Sequence, residues 1–380
     1  MLRAILKILG YLILFIVLIY LALVGTGNAH LITAVRATYL RGHTTASIDD
    51  YPYFDTRSIP ARDPQSLWES QQYNASEIPA GLRKVLVETK TVAFLVIKND
   101  SVLLEEYWDH YSDTSHSNSF SMAKSITTIL TQIAIQEDYI HSWEDLVKDY
   151  LPDLKGPYSD SLRLKHLSAM AAGLRWDEAY SAPFSITTKA YFGNDIRALM
   201  INEVPVVEAP GHEFQYQSGA TELLGLVLRK AVGKDMTTWA ANTLWKDVHA
   251  MEDAFWYLDR ENGVELAYCC YASNARDFSR LGSLMLNQGR YRGEQILDST
   301  FVERATQPMY SPNYGMGFWI DPSFDEKVYY FRGILGQYII VLPQRNMVVV
   351  RLGKERKPNV DSHPEDFMEI VRGMQEFDKN

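Results

Sequence analysis

The first apolar pattern in the chain has no polar face. After Arg3 and Lys7, an uncharged hydrophobic run extends from Ile8 to Gly25. A helix that is apolar all round belongs in a core or in lipid. This one is long enough to span a bilayer with some tilt or thinning, and longer than the apolar region of an ordinary signal peptide. The early positive charges put the N-terminus in the cytoplasm and everything after the helix outside it. Small residues at Gly27 and Ala29 would also permit cleavage after Ala29. The expected division is an anchor over residues 1–27, a polar, Pro-punctuated linker or surface wrap over 28–80, and a domain over 81–380.

Within that domain the pattern changes twice. "AGLRKVLVETK" predicts a short helix, and "TVAFLVIKNDSVLLEEYW" predicts two strands turning at Asn99-Asp100. The sequon beginning at Asn99 overlaps this turn and is read as turn chemistry. From about 120 to 308 the spacing is mostly helical, with Met122, Ile126, Ile129, Leu130 and Ile133 on one face. "TELLGLVLRKAVG" and "ARDFSRLGSLMLNQG" predict further helices, each closed by a glycine. Strands return at "KVYYFRGI", "GQYIIVLP" and "NMVVVRLG", before a last helix in "HPEDFMEIVRGMQEF". A hairpin before a helical insert, with strands and a helix after it, predicts an α/β (α+β) architecture. One antiparallel sheet is drawn from both chain ends, with flanking helices and a mostly helical lobe.

Composition narrows the chemistry. The net charge is −10 with no basic run, so the electrostatic footprint of a nucleic-acid binder is missing. The only two cysteines, Cys269 and Cys270, are adjacent. Neighbours rarely close a disulfide with good geometry, so these are expected as buried thiols. Nine scattered histidines contain no HExxH, which argues against a zinc hydrolase.

Three local features could build one site. Ser121 and Lys124 stand at i and i+3 at the start of an apolar helix, where they share a face. A serine hydroxyl needs a base, and a lysine serves if burial lowers its pKa. The pair also fits a serine N-cap followed by a solvated lysine. Second, Tyr216-Gln217-Ser218 forms a loop before a helix. Its tyrosine could be a second base if a cation favours the phenolate, or simply a buried aromatic. His212 in that loop is read as structural. Third, Gly333 and Gly336 interrupt a strand pattern, marking either a bulge or close approach of a ligand or backbone.

The order and spacing of Ser121-Met122-Ala123-Lys124, Tyr216-Gln217-Ser218 and Ile334-Leu335-Gly336 resemble the penicillin-recognising serine hydrolases. These include class C β-lactamases, related esterases and 6-aminohexanoate-dimer hydrolases. "RLKHLSAMAAGLRWDEAYSAP" and "CCYASNARDFSRLGSLMLNQGRYRGEQIL" resemble further segments of the family. The resemblance implies a β-lactamase/transpeptidase-like fold, Ser121 as the acylated nucleophile, Lys124 as its base and Tyr216 as a proton shuttle. It also implies an oxyanion hole from the N–H groups of Ser121 and Gln337. Ser218, Ile334, Leu335 and Gly336 would line the substrate site, with Tyr180 closing over it. No metal or organic cofactor is implied. Ile334 and Leu335 stand where β-lactamases carry a cation and a hydroxyl, and Ser218 replaces an asparagine. Both departures point toward esterases and amidases and away from β-lactams. The expectation is a membrane-tethered, outward-facing serine hydrolase acting on a small ester or amide. The alternatives are an anchored ligand sensor of the same fold, or a D-Ala peptidase or β-lactamase.

Overall fold

A computed structural model describes residues 1–43, 45–180 and 182–378. Its centre is a seven-stranded sheet assembled from distant parts of the chain. The spatial order is Trp319–Asp321, Val328–Gly333, Gln337–Leu342, Met347–Gly353, Thr91–Lys98, Ser101–Tyr107 and Trp68–Glu69. All neighbours pair antiparallel except the last, Trp68–Glu69, which runs parallel to Ser101–Tyr107. The Asn99-Asp100 turn forms as predicted, with both residues at positive φ (50° and 61°). The Asn99 side-chain oxygen accepts from Asn346 Nδ2 at 2.9 Å.

The strands read as continuous apolar runs because both faces of the sheet are covered. Side chains alternate between faces along a strand. Leu95, Ile97, Ile339, Val341, Val348 and Val350 enter the main core, which continues into the helical lobe. Phe94, Val96, Tyr338, Ile340 and Val349 enter a second core, closed by helices Ala80–Glu88 and Glu365–Phe377.

Two features depart from expectation. A second, four-stranded sheet joins Thr56–Ile59, Ala254–Tyr257, Tyr271–Ser273 and Ser117–Asn118. Residues from the 28–80 segment thus take part in both sheets. Cys269 and Cys270 are buried as expected, yet they are joined in a disulfide. The left-handed φ of Cys270 (73°) bends the chain out of the extended form that would hold neighbouring thiols apart.

At the N-terminus, Leu2–Gly25 forms one uninterrupted helix with no buried residue. Its 24 residues span about 36 Å, against roughly 30 Å of bilayer hydrocarbon. Among the described residues it is the one helix long and apolar enough to cross a membrane.

Candidate active site

Ser121 occupies the N-cap position of the helix Met122–Gln136, but its hydroxyl does not cap that helix. A capping serine accepts from an N–H of the first turn. Here Ser121 Oγ instead accepts from Lys124 Nζ at 2.9 Å. Phe120, just before it, holds φ at +46°, a conformation that costs a non-glycine residue about 1–3 kcal/mol. Asn118 Oδ1 supports the bend by accepting from Phe120 N at 2.9 Å. The strained turn delivers Ser121 to the end of the helix, where the N–H groups of Met122, Ala123 and Lys124 donate to the carbonyls of Ser119, Phe120 and Ser121.

Lys124 is only 2% exposed, and among the described residues no carboxylate lies within ion-pair distance of it. Its ammonium donates to Ser121 Oγ and to Tyr268 O, each at 2.9 Å, and lies 5.0 Å from the centre of the Tyr216 ring. Burial lowers its pKa to about 8, while the charge of Glu178 pulls it back up. The solvated lysine that the i,i+3 spacing also allowed is thereby excluded.

Ser121 lies close enough to Tyr216 to lower its pKa, but burial outweighs that effect. Burial raises its pKa well above the usual phenol value; Glu178 adds to this, and Arg332 opposes it. The phenolate raised as one option does not form at neutral pH, so Tyr216 is a protonated donor. Its ring packs against Trp319 at 5.3 Å, and the Arg332 guanidinium lies 4.5 Å from the centre of that indole on its other contact. Arg332 also donates to Ser362 O at 2.8 Å and Asn359 Oδ1 at 3.0 Å. Arg332, the cation just before the third motif in sequence, is therefore held by Ser362, Asn359 and the Trp319 ring.

Tyr180 and Ser218 meet over Glu178. The Tyr180 hydroxyl lies beside both, and burial together with the Glu178 charge holds its pKa far above normal. Tyr180 as a whole remains half exposed. Sequence reasoning missed Glu178. Its carboxylate accepts from Ser218 N, from Ser218 Oγ at 3.2 Å and from Trp176 Nε1 at 3.0 Å. Where an asparagine was expected at 218, a serine leaves room for a carboxylate from another loop. The one available signal was an acid two residues before Tyr180 in "WDEAYSAP", of which Ser181 lies outside the described residues.

The third motif needs a correction. Ile334, Leu335 and Gly336 do not interrupt a strand; they are the turn joining Val328–Gly333 to Gln337–Leu342. Leu335 and Gly336 both hold positive φ (61° and 83°). The buried Arg351 clamps the turn by donating to Leu335 O at 3.0 Å and Gly336 O at 2.7 Å. A Cβ on Gly336 would lie 1.8 Å from that guanidinium, so only glycine fits. Gly333 does mark close approach: a Cβ there would meet Ser119 O at 2.2 Å. The hairpin thus presses on the segment leading into Ser121. Gln337 is buried, and its side chain is tied to Gly353 by bonds of 2.6 and 3.1 Å, which fixes the peptide carrying its N–H. Ile334 and Leu335 are half-buried against the main core.

This constellation contains a serine hydroxyl bonded to a lysine whose pKa is depressed, and a phenol ready to donate. Such groups can move a proton on and off a nucleophile without a metal-bound water. Residues 83–369 match the sequence model of the family described as Beta-lactamase. A 6-aminohexanoate-dimer hydrolase from Paenarthrobacter ureafaciens is 26% identical over 238 residues, covering 60% of this chain and 60% of that protein. The match thus spans less than two thirds of that relative's length. Among solved structures, a protein described as a 6-aminohexanoate-dimer hydrolase from Bacillus anthracis superposes with a TM-score of 0.71 at 20% identity, over 90% of this chain and 94% of that one. The octameric penicillin-binding protein homologue from Pyrococcus abyssi gives 0.61 at 16% identity, over 79% and 76%. At those identities the structures speak for the fold alone. The sequence match over most of the chain carries more: this protein belongs to the Beta-lactamase family of serine hydrolases.

Proposed function

We propose that the protein is a membrane-tethered serine hydrolase that cleaves an ester or amide through an acyl-enzyme at Ser121. The observation that carries this reading is the 2.9 Å contact between Ser121 Oγ and a buried Lys124 with no carboxylate at ion-pair distance among the described residues. Neutral Lys124 takes the Ser121 proton as Oγ attacks the substrate carbonyl carbon. The oxyanion that forms is stabilised by the N–H groups of Ser121 and Gln337. Tyr216 gives its proton to the departing oxygen or nitrogen and is reprotonated from the Lys124 ammonium. Water then releases the acyl group by the same steps in reverse.

The curated relative from Paenarthrobacter supports an amide-cleaving or ester-cleaving direction. The aliphatic third motif supports neutral acyl groups, because Ile334 and Leu335 cannot donate to a substrate carboxylate, and burying that charge beside them is penalised. Short-chain p-nitrophenyl esters should therefore exceed nitrocefin in kcat/KM by at least about tenfold, or roughly 1.4 kcal/mol. Ile334→Lys should narrow the gap. Equal rates for the two substrates in the wild type would overturn this preference.

Glu178 fits as a positioning residue. It holds Ser218 and lies beside Tyr180, and its charge raises the Lys124 pKa. Glu178→Gln should lower kcat/KM about tenfold, since hydrogen bonds to a charged group contribute about 1.5–3 kcal/mol. It should also move the acid limb of the pH profile downward, because Lys124 then loses its proton more easily. The other groups facing Lys124 are Tyr216, Tyr268 and Ser121, and none carries a charge at neutral pH. A residue that only braces the loop would lower the rate and leave the limb in place.

The anchor reading draws on the end of the apolar helix. Cleavage after Ala29 would put an ammonium at His30, the first residue of the helix His30–Ala37 and itself 5% exposed. A positive charge at a helix N-terminus opposes the helix dipole.

A further inference from the structure

We infer that the rim of the active site sits on the outer membrane–water interface and that the enzyme takes amphiphilic esters or amides presented by the bilayer. The inference rests on the membrane-tethered hydrolase reading. Its starting point is the connection between the apolar helix and the catalytic loop, which has no slack. Only residues 26–29 separate Leu2–Gly25 from His30–Ala37. They are held by backbone hydrogen bonds, Asn28 N to Leu23 O at 2.7 Å and Leu31 N to Asn28 O at 3.1 Å. Even fully extended, four residues reach about 14 Å. The second helix therefore begins at the membrane surface if the first one spans.

That second helix touches the active-site loop. His30 Nε2 donates to Pro183 O at 2.9 Å. Three residues earlier in the same loop, Tyr180 lies beside Ser218 and Glu178. The loop closing the catalytic pocket is thus tied to the first residue after the membrane connection.

The second helix, the turn that follows it and the loop it touches carry side chains suited to lipid. Leu40 is 78% exposed, Phe184 65% and Tyr39 64%. Arg41 stacks on the exposed Tyr53, its guanidinium carbon 3.5 Å from the ring centre. Arg36 is also exposed. Aromatic residues with an apolar body and a polar tip favour the headgroup level, and arginines there gain from anionic lipid. Large apolar side chains this exposed are wasteful in water, but an interface buries them. A substrate with an apolar tail would then reach Ser121 past Tyr180 and Phe184 without leaving the bilayer.

The test uses the full chain in phosphatidylcholine–phosphatidylglycerol vesicles, with p-nitrophenyl dodecanoate as the bilayer-partitioned substrate and p-nitrophenyl acetate as the soluble one. Leu40→Glu combined with Tyr39→Glu should cut dodecanoate hydrolysis about tenfold and leave acetate hydrolysis unchanged, since charge is costly at the interface. Leu40→Glu alone, at a position with little packing to lose, should give a smaller selective loss and guards against misfolding of the double variant. Equal rates on dodecanoate for wild type and both variants would overturn the inference, as would a parallel loss on both esters. Alkaline carbonate separates failure of the parent reading. Wild type that is stripped from the vesicles has no anchor, and the inference falls with it. Wild type that stays bound while its variants keep full dodecanoate activity refutes the seated rim alone.

Discussion

Replacing Ser121 with alanine is expected to abolish labelling by a fluorophosphonate probe and to lower kcat by about 10⁴-fold or more, the scale of losing the nucleophile of a serine hydrolase. Ser121 is half-buried, and its hydroxyl accepts from Lys124 and lies beside Tyr216, so its removal takes away the one oxygen that both groups face. The scaffold should survive. Ser121 does not cap its helix, and the substitution therefore removes no helix hydrogen bond. Intact-mass measurement after incubation with the probe distinguishes the outcomes. An adduct that persists in Ser121→Ala would mean another residue is acylated.

The second large effect is expected at Lys124, where activity and stability should move in opposite directions. Lys124→Met deletes the general base, which is worth about 10²–10⁴-fold in rate. In the wild type, kcat/KM should rise with pH through about 8 as the ammonium loses its proton. The stability sign follows from the same depressed pKa. Between about 8 and the unfolded value of 10.5, the unfolded chain holds more protons than the native one. Stability contributed by this group therefore rises with pH across that window and is at its least below it. Methionine has nearly the same reach and no charge to desolvate. Thermal melts at pH 7 should show Lys124→Met with a Tm equal to or above that of wild type. A variant that is active, or clearly less stable, would return Lys124 to an ordinary structural role.

The pair Ser121 and Lys124 was legible in sequence because an i,i+3 relation is local: the helix that the apolar spacing predicts also sets the distance. The central strands were legible for a similar reason, since each is a short apolar run bounded by turn residues. What sequence reasoning missed is tertiary. Glu178 meets Ser218 across 40 positions, and nothing in either segment specifies the other. Trp319 touches both Arg332 and Tyr216 in the same way. The strands Thr56–Ile59 and Trp68–Glu69 were hidden in a polar segment too short and mixed to show a period. Gly333 and Gly336 were read as interruptions of one strand because a three-residue turn with left-handed φ leaves little polar signature when its other members are Ile and Leu. Adjacent cysteines mislead on geometry alone, since extended backbone is the wrong reference for a turn.

The pairing of Thr91–Lys98 with Met347–Gly353 sets a timetable for the nascent chain. The strand that precedes the nucleophile has no antiparallel partner on that side until some 250 residues later in synthesis, when the hairpin carrying Gln337 has also been made. Until then Gly333 cannot press on Ser119, and the second N–H of the proposed oxyanion site has nowhere to stand. Contacts of such long range fold slowly. On the proposed reading of an anchored, outward-facing hydrolase, the delay would act as a safeguard. The polypeptide would cross the membrane before it could hydrolyse anything, and a product truncated before the last three strands of the sheet would be inert.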